Sequence, residues 1–418
     1  MRNELESLTD PIFNRNGKFN GNELKYAMQY LNSENPDNEI ISWSARLEDA
    51  FSKRFNVKYA IAHNSGTSTL HSCLHAAGVV AGDEVIVPTY TVISVAFSVI
   101  HQNAIPVFAD SDPDTFNMDP TDIEKKITLK TKAIIAVHMH GLPCDMGIIL
   151  EIAKKYNLVV IEDCAQSMLA EYKERLTGTI GHMASFSFET KKHMTTGQGG
   201  MVVTNDPKYA ERVRKHAGLG YKTLGPRQGM TNLLPKEFQN PYFKRHDSLG
   251  YNYRLPEICA ALGLAQLERI EKLVERRRKV AALFRDALIG CSWIIPQKVP
   301  KTYGHTYWSY AAKYYGQDKC GISWVEFYER FNANGGDGFF GALSLQHEEK
   351  VMIEKPFYEQ YIPADSELYK EKFEYHKGMC PVAENIQPLM MVFKTGYRDM
   401  EKAKQASKAL YKTIREIE

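Results

Sequence analysis

The sequence predicts an α/β protein in two parts. A large domain over 1–270 carries a mixed, mostly parallel sheet flanked by helices, with helices over 1–56 at its edge, and a smaller C-terminal α+β domain covers 271–418. Three observations support this. At 418 residues the chain exceeds what one hydrophobic core usually holds. From 59 to 204 short apolar runs alternate with helix-period stretches, and such a βαβ order implies parallel pairing. Beyond about 293 strands and helices are again interleaved, over a shorter span.

Composition excludes several function classes. The 52 lysines and arginines balance 50 aspartates and glutamates, so no charge excess points to nucleic acid. The seven cysteines show no CxxC spacing, and their odd number argues for a reducing, cytoplasmic setting rather than a disulfide framework. The N-terminus lacks an apolar signal core, and the longest apolar run, 92–100, has about half of the roughly 20 residues a membrane span needs. A soluble, unexported protein with no membrane partner is expected.

Taken in order, 22–55 reads as helical, with NELKYAMQYL and SARLEDAFSKRF apolar at three- and four-residue spacing. YAIAH (59–63) is a short strand, and SGTSTLHSCLHAAG after it opens a helix on Gly66, Thr67 and Ser68. Free N–H groups, hydroxyls and the positive dipole end of such a helix suit a dianionic phosphate, although Ser and Thr are also ordinary helix caps. A glycine turn, strand and helix follow over 82–100, then the strand AIPVFA. The strand over 131–137 runs into His138, His140, Cys144 and Asp145. These are zinc-ligand types, but no second cluster completes a site, and Asp145 reads as the cap of the next helix. LVVIED (158–163) delivers Asp163 at its carboxyl end and turns Glu162 to the opposite face.

The organising stretch is 185–200, SFSFETKKHMTTGQGG. Phe186 and Phe188 alternate with Ser185 and Ser187 as in a strand, and Gly197, Gly199 and Gly200 supply turn residues before the strand MVVT. In open α/β sheets ligands sit at the carboxyl ends of strands, which places Lys191 and Lys192 for chemistry. The residues alone leave both lysines open.

This stretch resembles the pyridoxal-phosphate lysine loop of the DegT/DnrJ/EryC1/StrS family of sugar aminotransferases. The family spacing, five residues after the serine of FSF and three before TTG, selects Lys192. The resemblance extends over nearly the whole chain from about residue 21, with SGTSTL, EDCAQ, the lysine loop and GYNYRL in the family order. It implies the aspartate-aminotransferase (type I) fold and pyridoxal 5′-phosphate cycling through its amine form. Gly66, Thr67, Ser68 and Ser187 would take the phosphate, Asp163 the ring nitrogen, and Gln166 the phenolic oxygen. Asn252 would reach the neighbouring subunit's cofactor in a homodimer with shared sites. Val92 stands where the family usually has an aromatic ring against the cofactor, with Tyr90 two residues earlier. The family carries the histidine-rich segment after 137 without a metal, so none is expected, and His138 is placed beside the cofactor.

The activity the resemblance implies moves an amino group from glutamate or glutamine to a keto-sugar, by the same resemblance a nucleotide-linked one, in amino-sugar biosynthesis for a surface polysaccharide or a natural product. Alternatives are a cyclitol aminotransferase and a sugar 3-dehydratase in which histidine replaces the lysine, for which His193 adjoins the right position. A non-catalytic cofactor-binding sensor lacks any attached DNA-binding or partner module in the sequence. Residues 219–249 form an aperiodic insert whose Lys222, Arg227, Lys236, Lys244 and Arg245 are candidates for a substrate phosphate. One long amphipathic helix is expected from Pro256 through FRDAL. His305, Gln346 and His347 are further substrate candidates.

Overall fold

The alternation read over 59–204 folds into a single seven-stranded sheet in the computed structural model, which describes residues 17–33, 42–226, 239–355 and 374–418. Its strands are β1 (Tyr59–His63), β2 (Glu84–Pro88), β3 (Ile105–Ala109), β4 (Thr131–Val137), β5 (Val159–Asp163), β6 (Met183–Ser187) and β7 (Gly200–Thr204). They lie side by side as β1-β7-β6-β5-β4-β2-β3. Only β7 is reversed, pairing antiparallel with β1 and β6, so six strands end on one edge.

Both faces are covered, which is why these strands read as almost continuous apolar runs. Val85 and Val87 pack with Leu70 and Leu74 of α3 (Gly66–Ala76), while Ile86 between them faces Ile149 and Ile152 of α5 (Met146–Tyr156). Phe186 lies edge-on to Phe51 and Phe55 of α2 (Trp43–Phe55), at 5.1 and 5.0 Å between ring centres. That choice of face leaves Ser185 and Ser187 toward α3, where Thr69 and Ser185 share a hydroxyl hydrogen bond.

A buried ion pair ties α2 to α6 (Pro207–Ala217). Glu48 accepts from Nη1 and Nη2 of Arg214 at 2.7 and 2.9 Å, and from the Ala62 amide of β1 at 2.9 Å. Removing one partner leaves the other charge buried and uncompensated. Glu48→Ala is therefore expected to lower unfolding free energy by about 3–5 kcal/mol in a urea titration, whereas truncating the exposed pair partner Asp49 should cost less than about 1 kcal/mol.

The helix expected from Pro256 is two helices, α7 (Glu257–Leu267) and α8 (Ile270–Ala287). They bury different surfaces. α7 is apolar nearly all round because it is sandwiched against α1 (Glu23–Leu31) and α2, whereas α8 buries one stripe. At the break, Arg269 leaves helical geometry and anchors to Glu23 Oε1 and the Lys18 carbonyl, at 2.5 and 2.8 Å. Beyond α8, β8 (Ile294–Pro296), β9 (Ser309–Tyr314) and β10 (Met390–Lys394) form an antiparallel sheet. α8 and α10 (Met400–Arg415) pack with it around Phe284, Tyr310 and Phe393, and α9 (Trp324–Ala333) adds Phe327 and Phe331. No helix among the described residues is long and apolar enough to cross a membrane.

Candidate active site

The edge where six strands end opens into a cavity of about 1030 Å³, bounded on its far side by the start of β9 and the end of β10. β1 leads through Asn64 into the first turn of α3. There Ser65 caps the helix by accepting from the Ser68 amide at 3.1 Å, and the Ser68 hydroxyl accepts back from the Ser65 amide at 3.2 Å. Ser68 is thus consumed by the capping box and does not line the cavity. The Gly66 and Thr67 amides have no acceptor among the described residues, and both residues face the cavity beside Ser187.

Gly66 is needed for this closeness. A Cβ at that position would lie 2.8 Å from Cβ and 3.1 Å from Oγ of Ser187. Gly66→Ala forces the two walls apart at a cost of about 1–3 kcal/mol. It is expected to weaken binding of a phosphate-bearing ligand at this cradle by about tenfold to a hundredfold, read by ligand titration, with β-sheet circular dichroism retained.

At the end of β5, Asp163 accepts from the Ala165 amide through Oδ1 at 2.9 Å, and its other oxygen has no hydrogen-bond partner among the described residues. Burial pushes the Asp163 carboxyl up, offset in part by that amide, Lys192 and His138. Gln166 accepts from the His140 amide at 2.7 Å. Tyr90 and Val92 complete this wall from the β2 side, with the Tyr90 hydroxyl 3.1 Å from His140 Nε2.

The loop after β6 brings Lys192 to the same cavity, its Nζ 4.7 Å from the centre of the Trp308 ring. Burial, with Arg277 and Lys191 nearby, depresses the Lys192 ammonium below the ordinary lysine range, against the pull of Asp163 and Glu189. Lowering the pKa leaves more of the amine unprotonated, and so nucleophilic, at a given pH. His193 lines the cavity too, but its Nε2 lies 3.1 Å from the Thr306 carbonyl and its buried Nδ1 has no partner among the described residues.

The other candidates lie elsewhere. His138 is the main correction: both its ring nitrogens are engaged, Nδ1 with the Cys144 amide at 3.0 Å and Nε2 with Glu162 at 3.1 Å. It shares the Glu162 side of the sheet, away from Asp163. His140 takes the place expected of it, because a left-handed backbone (φ 59°) swings that residue to the cavity side. His305 is held by Gln297 and the Tyr307 amide at 3.0 and 2.8 Å. Gln346 bridges the Pro88 carbonyl and the Ala96 amide at 2.7 and 3.1 Å. His347 lies between Thr89 and Glu384. These three are struts under the site and do not line it. Asn252 is exposed and outside the cavity, accepting from Arg254 Nε at 3.0 Å. No described residue of the insert lines the cavity, and Lys222 lies 4.0 Å from the Phe243 ring centre. Arg227 and Lys236 lie outside the described residues.

Sequence reasoning missed Lys18, Trp308 and the arginines 269, 276, 277 and 398, which give the cavity a cationic wall against only Asp163 and Glu189. Neither Arg276 nor Arg398 has an ion-pair partner among the described residues. ERRRK on α8 reads in the sequence as a solvated charged face and gave no signal that Arg277 is buried.

The residues fit pyridoxal phosphate. Two free amides and a hydroxyl meet at a cradle that one extra carbon would fill, a carboxylate keeps one oxygen free, and a depressed amine faces the same space. The chain matches the DegT/DnrJ/EryC1/StrS aminotransferase family over residues 21–407. It is 40% identical over 288 residues to GDP-perosamine synthase of Escherichia coli O157:H7, which is 69% of this chain and 74% of that protein. Among solved structures it is similar to an aminotransferase from Psychrobacter cryohalolentis, with TM-score 0.80 and 30% identity over 94% of this chain and 97% of that one. It is also similar to S. venezuelae DesV in complex with a ketimine intermediate, with TM-score 0.77 and 25% identity over 95% of each chain.

Proposed function

The chain belongs to the DegT/DnrJ/EryC1/StrS aminotransferase family, and from that premise we propose that it uses pyridoxal phosphate to move an amino group from glutamate or glutamine to a nucleotide-linked keto-sugar. The observation that carries the reading is the convergence of Lys192, Asp163 and the Gly66–Ser187 cradle on one cavity, from the ends of β1, β5 and β6. When bound, pyridoxal phosphate supplies an electron sink and an exchangeable amino carrier.

The chain's own residues have separable tasks. The Gly66 and Thr67 amides and the Ser187 hydroxyl bind the phosphate at the positive end of α3. Asp163 holds a proton at the ring nitrogen, where a cation compensates an otherwise strained buried carboxylate. Gln166, fixed by the His140 amide, faces the phenolic oxygen. Val92 gives dispersion contact, and Tyr90, tied to His140, is the nearest aromatic residue on that wall. Lys192 Nζ would hold the cofactor at rest and, once displaced by the donor, would be placed to accept and return a proton as general base and acid.

The cationic wall, in which Arg276 and Arg398 have no ion-pair partner among the described residues, supports an acceptor bearing phosphates and a donor bearing carboxylates. GDP is the first carrier to test, because a 40% identical relative is named for a GDP-sugar. The proposed assembly is a cytoplasmic homodimer, in which exposed Asn252 reaches the partner's cofactor.

The test is a pair of half-reactions. Glutamate or glutamine should convert the long-wavelength absorbance of the loaded protein to that of the pyridoxamine form, and a GDP-linked keto-sugar should restore it while gaining nitrogen by mass. Failure of both donors contradicts the reading. Success with a donor but recovery only with a free cyclitol ketone contradicts the nucleotide-linked part.

A further inference from the structure

Arg277 belongs to the cationic wall, but the tasks assigned above give it no role of its own. It lies within α8 at 9% exposure, and its described hydrogen-bond partners are all neutral oxygens. Nη1 donates to the Trp308 carbonyl at 2.8 Å and to the Thr395 hydroxyl at 3.1 Å. Nη2 donates to the carbonyls of Lys191 and Lys192 at 2.9 and 3.2 Å. Burying a guanidinium without a counter-charge is unfavourable, so a residue of this kind belongs to a network that depends on it.

The acceptors come from three places: the lysine loop after β6, the residue before β9 and the residue after β10. Thr395 relays the contact by donating to the Tyr307 and Trp308 carbonyls, and the Trp308 indole donates to the same Lys191 carbonyl at 3.1 Å. The carbonyls of 191 and 192 belong to the two peptides on either side of the Lys192 Cα. Fixing both fixes the direction in which that side chain leaves the backbone. Lys191, one position earlier, is exposed.

We infer that Arg277 is the positioning residue of the lysine loop: its planar fork clamps both peptides flanking Lys192 to the start of β9 and the end of β10, so that the Lys192 side chain, rather than the exposed side chain of Lys191, is held against Trp308 in the cavity both residues line. The inference deepens the proposed role of Lys192, but the clamp itself is a property of the protein without cofactor. A lysine at 277 keeps the charge and loses the fork. A methionine loses both. Because a nearby cation disfavours a second ammonium, loss of charge raises the Lys192 pKa.

The test uses the full chain with no added cofactor, treated with limiting acetic anhydride from about pH 6 to 10 and mapped lysine by lysine by mass spectrometry. In wild type, Lys192 should reach half-maximal labelling at lower pH than an ordinary lysine. Arg277→Met should move the Lys192 midpoint up, and Arg277→Lys should leave it in place. A second arm traps added pyridoxal phosphate with borohydride. Wild type should carry the pyridoxyl mass on Lys192, while both variants should spread it to Lys191, an outcome that general destabilisation of a folded chain does not produce. Where circular dichroism shows Arg277→Met unfolded, the Arg277→Lys partition decides. Wild-type partition and wild-type midpoint in the folded variants would overturn the inference. A shifted midpoint with no trapping even in wild type would support the clamp while removing the cofactor reading.

Discussion

Lys192→Ala is expected to lower amino transfer by about 10⁴-fold or more, because one amine both holds the cofactor and carries the proton during exchange. Lys191→Ala should stay within about tenfold of wild type. The contrast follows from environment. Lys192 faces the Asp163 cavity with its ammonium depressed by burial and neighbouring charge, while Lys191 is exposed and donates its backbone amide to Glu189 Oε2 at 2.9 Å. The pH profile tests the same point. A depressed amine loses its proton at lower pH than an ordinary lysine, so attachment of pyridoxal phosphate in wild type should persist to lower pH than its attachment to a free alkylamine in solution. Restoring lysine function to Lys192→Ala with an exogenous amine should need more alkaline solution, since that amine lacks the buried setting.

The second large effect is at Asp163. Asp163→Asn keeps the size of the side chain and an acceptor for the Ala165 amide, and removes only the charge. Opposite a cationic ring nitrogen in a water-poor site, a carboxylate favours the protonated ring by about one to three pK units. The variant should lose about 10²–10³-fold in the rate of amino transfer with little change in donor or acceptor KM. Protein stability should not fall in the same measure, because burial already works against the ionised Asp163 carboxyl. A loss confined to KM would remove Asp163 from the role given to it.

The strand ends were legible in the sequence because period-2 apolar runs stop at turn residues, and three of the site's groups sit at such stops: Gly66 after β1, Asp163 on β5 and Ser187 on β6. The reversed β7 was not, since MVVT reads the same in either direction and the Gly197 turn (φ 86°) sets only that the chain bends. His138 and His140 were interchanged for a related reason. A strand's alternation ends at Val137, and a left-handed residue three positions later decides which side faces the cavity. Periodicity carries no such information. Ser68 matched a phosphate turn and a helix cap equally well, and capping took it. Arg276, Arg277, Arg398 and Trp308 reach the site only because β9, β10 and α8 fold back over the strand ends. That is a long-range packing outcome which the local pattern of ERRRK, a charged helix face, conceals. Asn252 depends on a neighbouring subunit for the role the resemblance gives it.

The most direct measurement of the central claim is the mass of the borohydride-reduced protein after incubation with pyridoxal phosphate, followed by sequencing of the peptide that carries 185–200. One pyridoxyl group per chain on Lys192, absent from Lys192→Ala, is the predicted result. Label on Lys191 in wild type, or label that persists at one per chain in Lys192→Ala, would contradict it.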